Sequence, residues 1–139
     1  MKLKLLQNKS LTRKKNTKMA LNKYDPHCLF CHIIEKKQEA SIVYEDEAVC
    51  VVLDKFPQAP VHALIMPKQH FTSLKDMQSE QPLLGHLMYT VILMSQELKI
   101  ADSGFRTVIN TGMEGGQAID HLHIHLLGGT QMGPTLVGS

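Results

Sequence analysis

Between His121 and Leu127 the chain reads HLHIHLL, with an imidazole at every second position and an aliphatic side chain between. Period two belongs to a strand. It sends His121, His123 and His125 to one face and Leu122, Ile124 and Leu126 to the other. The rest of the chain must therefore supply a core for one face and a polar site for the other. At a rise of about 3.3 Å per residue, successive imidazoles stand roughly 6–7 Å apart. Just upstream, Gly115-Gly116-Gln117 sets two residues without Cβ where backbone N–H groups can turn towards an anion. Neutral imidazole is a nucleophile and a proton carrier near pH 7, so this combination points to chemistry at phosphorus. The plain alternative is a polar strand face whose histidines bond only to neighbours.

With 139 residues there is room for one domain and one core. Charge is distributed unevenly. Residues 1–18 hold seven of the 15 Lys+Arg and no acid, which leaves eight bases against 13 acids, a formal −5, over residues 19–139. The domain proper is acidic, so the overall pI of 8.4 does not argue for a nucleic-acid partner. The basic start contains no apolar run able to insert in a membrane, nor a signal-peptide core. It is expected to be a disordered extension, with residues 19–139 forming the domain and a cytoplasmic location.

Cys28 and Cys31 have the two-residue spacing that lets two thiolates grip one tetrahedral Zn²⁺. That is half a site, and eight histidines offer candidates for the rest. A disulfide would leave Cys50 over, and a redox pair would lack a preceding strand. A short helix is expected over Cys28–Lys36, with Ile33 and Ile34 facing inward. Strands follow at Ser41–Tyr44, Ala48–Leu53 and His62–Met66, the last halted by Pro67. Asp54, at the end of the second strand beside a loop with two prolines, could accept ribose hydroxyls or cap a turn. One long helix is expected over residues 79–99, with Ser79 as N-cap and a core stripe of Leu84, Leu87, Met88, Val91, Ile92 and Leu98. His86 is assigned no chemistry. A strand Phe105–Asn110 carries Asn110 to the rim of the glycine cradle. The sum is an α+β domain: about five mostly antiparallel strands, one short helix and one long.

These residues resemble the histidine triad (HIT) family. The likeness covers roughly residues 26–136 and includes YEDE at 44–47, Asp54, PQAP at 57–60, His62, IMPKQH ending at His70, and GGQ ahead of HLHIHLL. It is nearest to the Hint branch of purine nucleoside phosphoramidases. The resemblance implies that His123 is a nucleophile which attacks the α-phosphorus and forms a nucleotidyl-imidazole that water hydrolyses. It implies that His125, the N–H groups near Gly116 and Gln117, and the side chains of Asn110 and Gln117 bind the phosphoryl oxygens. It places His62 behind the triad to fix ring tautomers and Asp54 on the ribose. Phe30, Ile33 and Leu53 would line an apolar purine pocket. Cys28 and Cys31 mark the zinc-containing subset, in which His70 and His121 complete a structural Cys₂His₂ site.

Two departures from the pattern bear on the leaving group. Many members carry Ser where this chain has Ala118, and animal members end with a tryptophan where this chain has none. The function expected is cleavage of nucleoside 5′-phosphoramidates. Alternatives are a dinucleoside polyphosphate hydrolase, a nucleotide-binding scaffold with incidental turnover, and a zinc hydrolase using HxHxH as ligands. A homodimer is expected as well. Leu83, Leu87, Met94 and Leu98 exceed what one side of a small sheet covers, and the tail from Gly128 to Ser139 would reach the partner's pocket.

Overall fold

The computed structural model describes residues 24–134; the basic start over residues 1–18 and the last five residues of the expected tail lie outside the described residues. Five strands form in chain order: β1 (Ile42–Glu45), β2 (Val49–Leu53), β3 (Val61–Pro67), β4 (Phe105–Val108) and β5 (Ile124–Gly128). Two α-helices, α1 (Leu29–Ile34) and α2 (Gln81–Glu97), and a 3₁₀ turn at Leu74–Asp76 complete the described elements. The strands make one sheet in the order β1-β2-β3-β5-β4, and every neighbouring pair is antiparallel. This is the expected α+β domain.

The sheet separates two apolar layers. On one face Val49, Val51, Ala63, Ile65, Ile124 and Leu126 share a core with Leu87, Val91 and Met94 of α2. Each such side chain contributes roughly 1.5–3 kcal/mol by burial, so this layer seats the long helix. On the other face Cys50, Val52, Leu64 and Met66 pack against Phe30, Cys31 and Ile33 of α1. Leu122, Ile124 and Leu126 all join the α2 layer, whereas His125 sits opposite Leu64 in the register and therefore on the α1 side. The period-two reading of the triad is correct in direction.

Its extent is shorter than expected. The ladder of β5 begins at Ile124, and His121–His123 lie before it. Pro67 supplies the reason: a proline has no N–H to extend pairing beyond Ile65 and Met66. Its carbonyl is instead taken by the His121 ring at 2.8 Å, while the Leu122 N–H donates to Phe71 O at 2.7 Å. Pro67 itself ends β3 inside the strand rather than just beyond it. β4 likewise stops at Val108, two residues short of Asn110.

Helix ends and faces also differ from expectation. α2 starts at Gln81 with Pro82 in its first turn, and Glu80, not Ser79, occupies the N-cap position without a side-chain bond. Leu87 and Val91 are core, as the expected stripe has them, while Met88 and Ile92 of that stripe are half exposed. Met94, expected as surplus apolar surface, is core, as is Leu87, which belongs to both expected sets. Leu83 and Leu98 pack at the edge of that core. The apolar stripe left outside consists of Met88, Tyr89 and Ile92. α1 is shorter than the expected Cys28–Lys36, because Lys36 takes a left-handed φ of 62° and ends it. Ile33 is buried as expected, while Ile34 is only partly so. Among the described residues no helix is long and apolar enough to cross a membrane.

Candidate active site and metal centre

The histidines fall into two clusters, one at each end of the triad. At the N-terminal end His121 Nδ1 lies 3.3 Å from Cys28 Sγ, 3.6 Å from Cys31 Sγ and 3.2 Å from His70 Nδ1. Cys31 Sγ lies 3.3 Å from His70 Nδ1. Ligands about 2.0–2.3 Å from one tetrahedral ion stand roughly 3.3–3.8 Å apart, so four donor atoms are gathered at the spacing of a Cys₂His₂ centre. Ring orientations agree with this. The His121 Nε2–H donates to Pro67 O at 2.8 Å, which leaves Nδ1 with its lone pair turned to the thiols. His70 turns Nε2 towards Asp25 Oδ2, which at 3.9 Å lies beyond hydrogen-bond reach, and presents Nδ1 to the Cys31 thiol. Burial pushes the Cys31 thiol up to about 12 and pulls His121 down to about 4. A divalent cation among them would reverse the first effect, since thiolate is the ligand form. The helix α1 positions both cysteines: Cys28 is its N-cap, and its Sγ accepts the Cys31 N–H at 3.3 Å.

At the other end His123 and His125 lie beside Phe30 and His62, next to residues that line a cavity but not on its wall. His123 is buried, with Phe30 edge-on at 5.1 Å between ring centroids. Its Nδ1–H donates to the His121 carbonyl oxygen at 2.7 Å, which leaves Nε2 as a bare lone pair. Burial pulls its pKa below the usual histidine range, so the ring stays neutral at pH 7. His125 holds the opposite tautomer, and a chain of three bonds requires it. The Gln58 backbone N–H donates to His62 Nδ1 at 3.0 Å. His62 must then carry its proton on Nε2, and this N–H donates to His125 Nδ1 at 2.9 Å. His125 is left with Nε2–H. A second proton on its Nδ1 would meet the His62 N–H head-on, which accords with burial and the neighbouring His123 and His62 pulling its pKa to about 4. The His123 and His125 rings are 5.0 Å apart, closer than the spacing of an ideal strand, because His123 precedes the ladder.

Phe30, Ile33, Leu53 and Asp54, expected around the nucleotide, all line one cavity of about 980 Å³. Its wall is less apolar than expected, for Gln38, Glu39, Ser41 and Lys55 line it too. No periodic signal marks these loop residues. Asp54 Oδ1 accepts the Phe56 N–H at 2.8 Å, and Oδ2 stands 3.3 Å from His62 Nε2. The turn-capping reading of Asp54 is therefore present in the bond from the Phe56 N–H.

The glycine loop departs most from expectation. The Gly116 N–H donates to Met113 O and the Gln117 N–H to Gly112 O, each at 3.0 Å, so these amides close the loop on itself. Both Gln117 Nε2 hydrogens go to carbonyls, at Thr72 (2.7 Å) and Ile119 (2.9 Å), and Oε1 accepts the Gly112 N–H at 3.0 Å. Asn110 Nδ2 donates to Gly115 O at 2.7 Å. These bonds brace the segment leading into the triad and occupy the Gly116 and Gln117 amides and the Gln117 side chain within the protein. Gly115 is required because any Cβ there would collide with the Thr111 backbone, and Gly116 because its φ is +74°. Sequence reading also missed the Gln58 N–H and the Pro67 carbonyl, since main-chain groups leave no residue-type signal.

The HIT domain family matches residues 35–132. The chain belongs to the HIT family. It is 51% identical over 106 residues to an uncharacterized HIT-like protein of Chlamydia muridarum, covering 76% of this chain and 83% of that protein. The purine nucleoside phosphoramidase of Escherichia coli (strain K12) is 37% identical over 109 residues, covering 78% and 92%. Among solved structures, a HIT family hydrolase from Clostridium thermocellum superposes with a TM-score of 0.78 at 39% identity, covering 81% of this chain and 99% of that one. At that level the chain is a hydrolase or transferase of the HIT family.

Proposed function

We propose that the protein cleaves purine nucleoside 5′-phosphoramidates through a nucleotidyl intermediate on His123. One observation carries the reading: neighbouring imidazoles held in opposite tautomers, with a bare Nε2 on His123 and an Nε2–H on His125. The His123 lone pair attacks the α-phosphorus and the P–N bond to the amine breaks, its electron pair leaving with the amine, which takes a proton from water. The His121 carbonyl holds the Nδ1–H of the nucleotidyl-imidazolium, and the His125 N–H steadies phosphoryl oxygen charge. Water then attacks phosphorus and the imidazole departs neutral. The cavity beside Phe30, Ile33, Leu53 and Asp54 has room for a purine nucleoside. The likeness to a phosphoramidase at 37% identity supports the choice of amine as leaving group.

The Cys28, Cys31, His70 and His121 cluster would hold a structural Zn²⁺, whose four protein ligands leave no position for substrate. A homodimer is part of the proposal, with the exposed stripe Met88, Tyr89 and Ile92 at the axis; light scattering should report twice the 15.6 kDa chain mass. Rapid-quench trapping with an adenosine 5′-phosphoramidate tests the chemistry. An adduct on His123 is expected, with faster turnover than of a diadenosine polyphosphate. Turnover without an adduct, or preference for the polyphosphate, would reject the reading.

A further inference from the structure

We propose that Asp54 is a positioning residue that couples ribose recognition to the hydrogen-bond donor strength of His125. The inference rests on the nucleotidyl-transfer reading of the site and concerns how the sugar enters the barrier. His62 Nε2 carries one hydrogen, because its Nδ1 receives the Gln58 N–H. That hydrogen bonds to His125 Nδ1 at 2.9 Å, while Asp54 Oδ2 stands 3.3 Å from the same nitrogen without completing a hydrogen bond. The bonded acceptor is neutral and the neighbour beside it is charged. Its negative field pulls on the N–H from the side and weakens the bond to His125.

Asp54 cannot swing clear, since its Oδ1 is held by the Phe56 N–H at 2.8 Å. It also lines the cavity, where sugar hydroxyls would donate to Oδ2. Each bond accepted there lowers the pull of the carboxylate on His62. The His62 N–H then settles on His125 Nδ1, and a bond accepted at one ring nitrogen strengthens the N–H at the other. Sugar hydroxyls therefore sharpen the donor that faces phosphorus. A substrate without them is turned over slowly even when the site is saturated.

Steady-state kinetics of the full chain with adenosine 5′-phosphoramidate and its 2′,3′-dideoxy counterpart test this. In the wild type, removal of the hydroxyls should lower kcat about 3- to 10-fold, beyond any rise in KM. In Asp54→Ala the kcat ratio between the two substrates should collapse to about one, because no carboxylate pulls on the His62 N–H. Asp54→Ser, which keeps an acceptor for the Phe56 N–H, should behave alike and guards against a disturbed loop. A wild-type effect confined to KM, or a kcat ratio that survives both substitutions, overturns the proposal. A readout free of turnover is the ¹⁵N signal of His125 Nδ1, which should move towards the bonded position with adenosine and not with 2′,3′-dideoxyadenosine. Failure of both substrates to react would count against the nucleotidyl-transfer reading, while this signal would still decide the coupling. An unmoved signal at saturating adenosine overturns the coupling itself.

Discussion

The two ends of the triad use the same residue type for opposite purposes. Around His121 every neighbour offers a lone pair: two sulfurs and the His70 nitrogen converge, and the one ring hydrogen is spent on a carbonyl behind. Around His125 the neighbours alternate donor and acceptor, from the Gln58 amide through His62. Asp54, His62 and His125 also lie close enough to suggest a metal site. The difference at the first end shows why they do not make one: a ligating His62 Nε2 would need its proton on Nδ1, where the Gln58 N–H already points. Convergent lone pairs gather a cation, whereas an alternating chain fixes a single proton. His123 stands between the two clusters, and the carbonyl of His121 holds its Nδ1–H and leaves Nε2 bare for the proposed role of nucleophile.

The largest effect should come from removing that nucleophile. His123→Asn should lower turnover by on the order of 10⁴-fold or more while nucleotide binding stays measurable, because no neighbour can supply the covalent step. Isothermal titration with a nucleoside monophosphate beside a turnover assay checks both halves. Near-normal turnover would erase the distinction between the clusters.

Cys28→Ser probes the other end. About one Zn²⁺ per chain should be found in the native protein by elemental analysis and be lost in the variant. The melting temperature should then fall by more than about 10 °C, as expected when several kcal/mol of metal linkage disappear from a small domain. Rate per folded molecule should fall much less. Activity that tracks metal content at constant foldedness would place His121 in the chemistry and break the comparison.

A smaller loss is expected from His62→Ala, about 10- to 100-fold in kcat, because it frees the tautomer of His125 without touching the nucleophile. Loss confined to KM would mean that His62 only shapes the pocket.

The mildest test is pH. Burial pulls His125 to about 4, so it is neutral when folded between about 4 and 6.5, whereas the unfolded chain takes up a proton there. The unfolded state binds more protons, so the contribution of His125 to stability is complete above 6.5 and is lost as pH falls towards 4. Denaturant melts across that window should show the decline. The acid limb of kcat should lie below the ordinary histidine value, since His123 is displaced in the same direction. A stability profile flat from pH 7 to 4 would contradict the buried neutral state.

Much of this organisation is legible in residue order. The alternation over HLHIHLL correctly sends the aliphatic side chains to the α2 layer, and Cys28 and Cys31 lie beside His70 and His121, the histidines that the family resemblance implies and the spacing alone does not name. What is not legible depends on main-chain groups distant in sequence. The Pro67 carbonyl orients His121 from 54 residues away, and the Gln58 amide sets the tautomer of His125 through His62. The glycine loop misleads for a related reason: two glycines announce a turn, but only tertiary contacts decide whether its amides point outward or close on Gly112 and Met113. Met88 and Ile92 fall on the wrong face because helical spacing alone does not say which of two apolar stripes meets the sheet.

The strand order has a consequence for how the molecule comes into being. β5 is the last of the described strands to be synthesised, yet it lies inside the sheet between β3 and β4. Until it emerges, β3 has an unpaired edge and β4 has no partner among the described strands, so a chain cut short before Ile124 cannot close its sheet. Pairing β5 with β3 joins residues about 60 positions apart, a non-local step of the kind that slows folding. Of the triad only His125 lies on that strand, and His121 and His123 stand immediately before it. The partner that His62 holds at 2.9 Å is thus missing until the sheet closes, so completion of the sheet and of the His62–His125 pair is a single event.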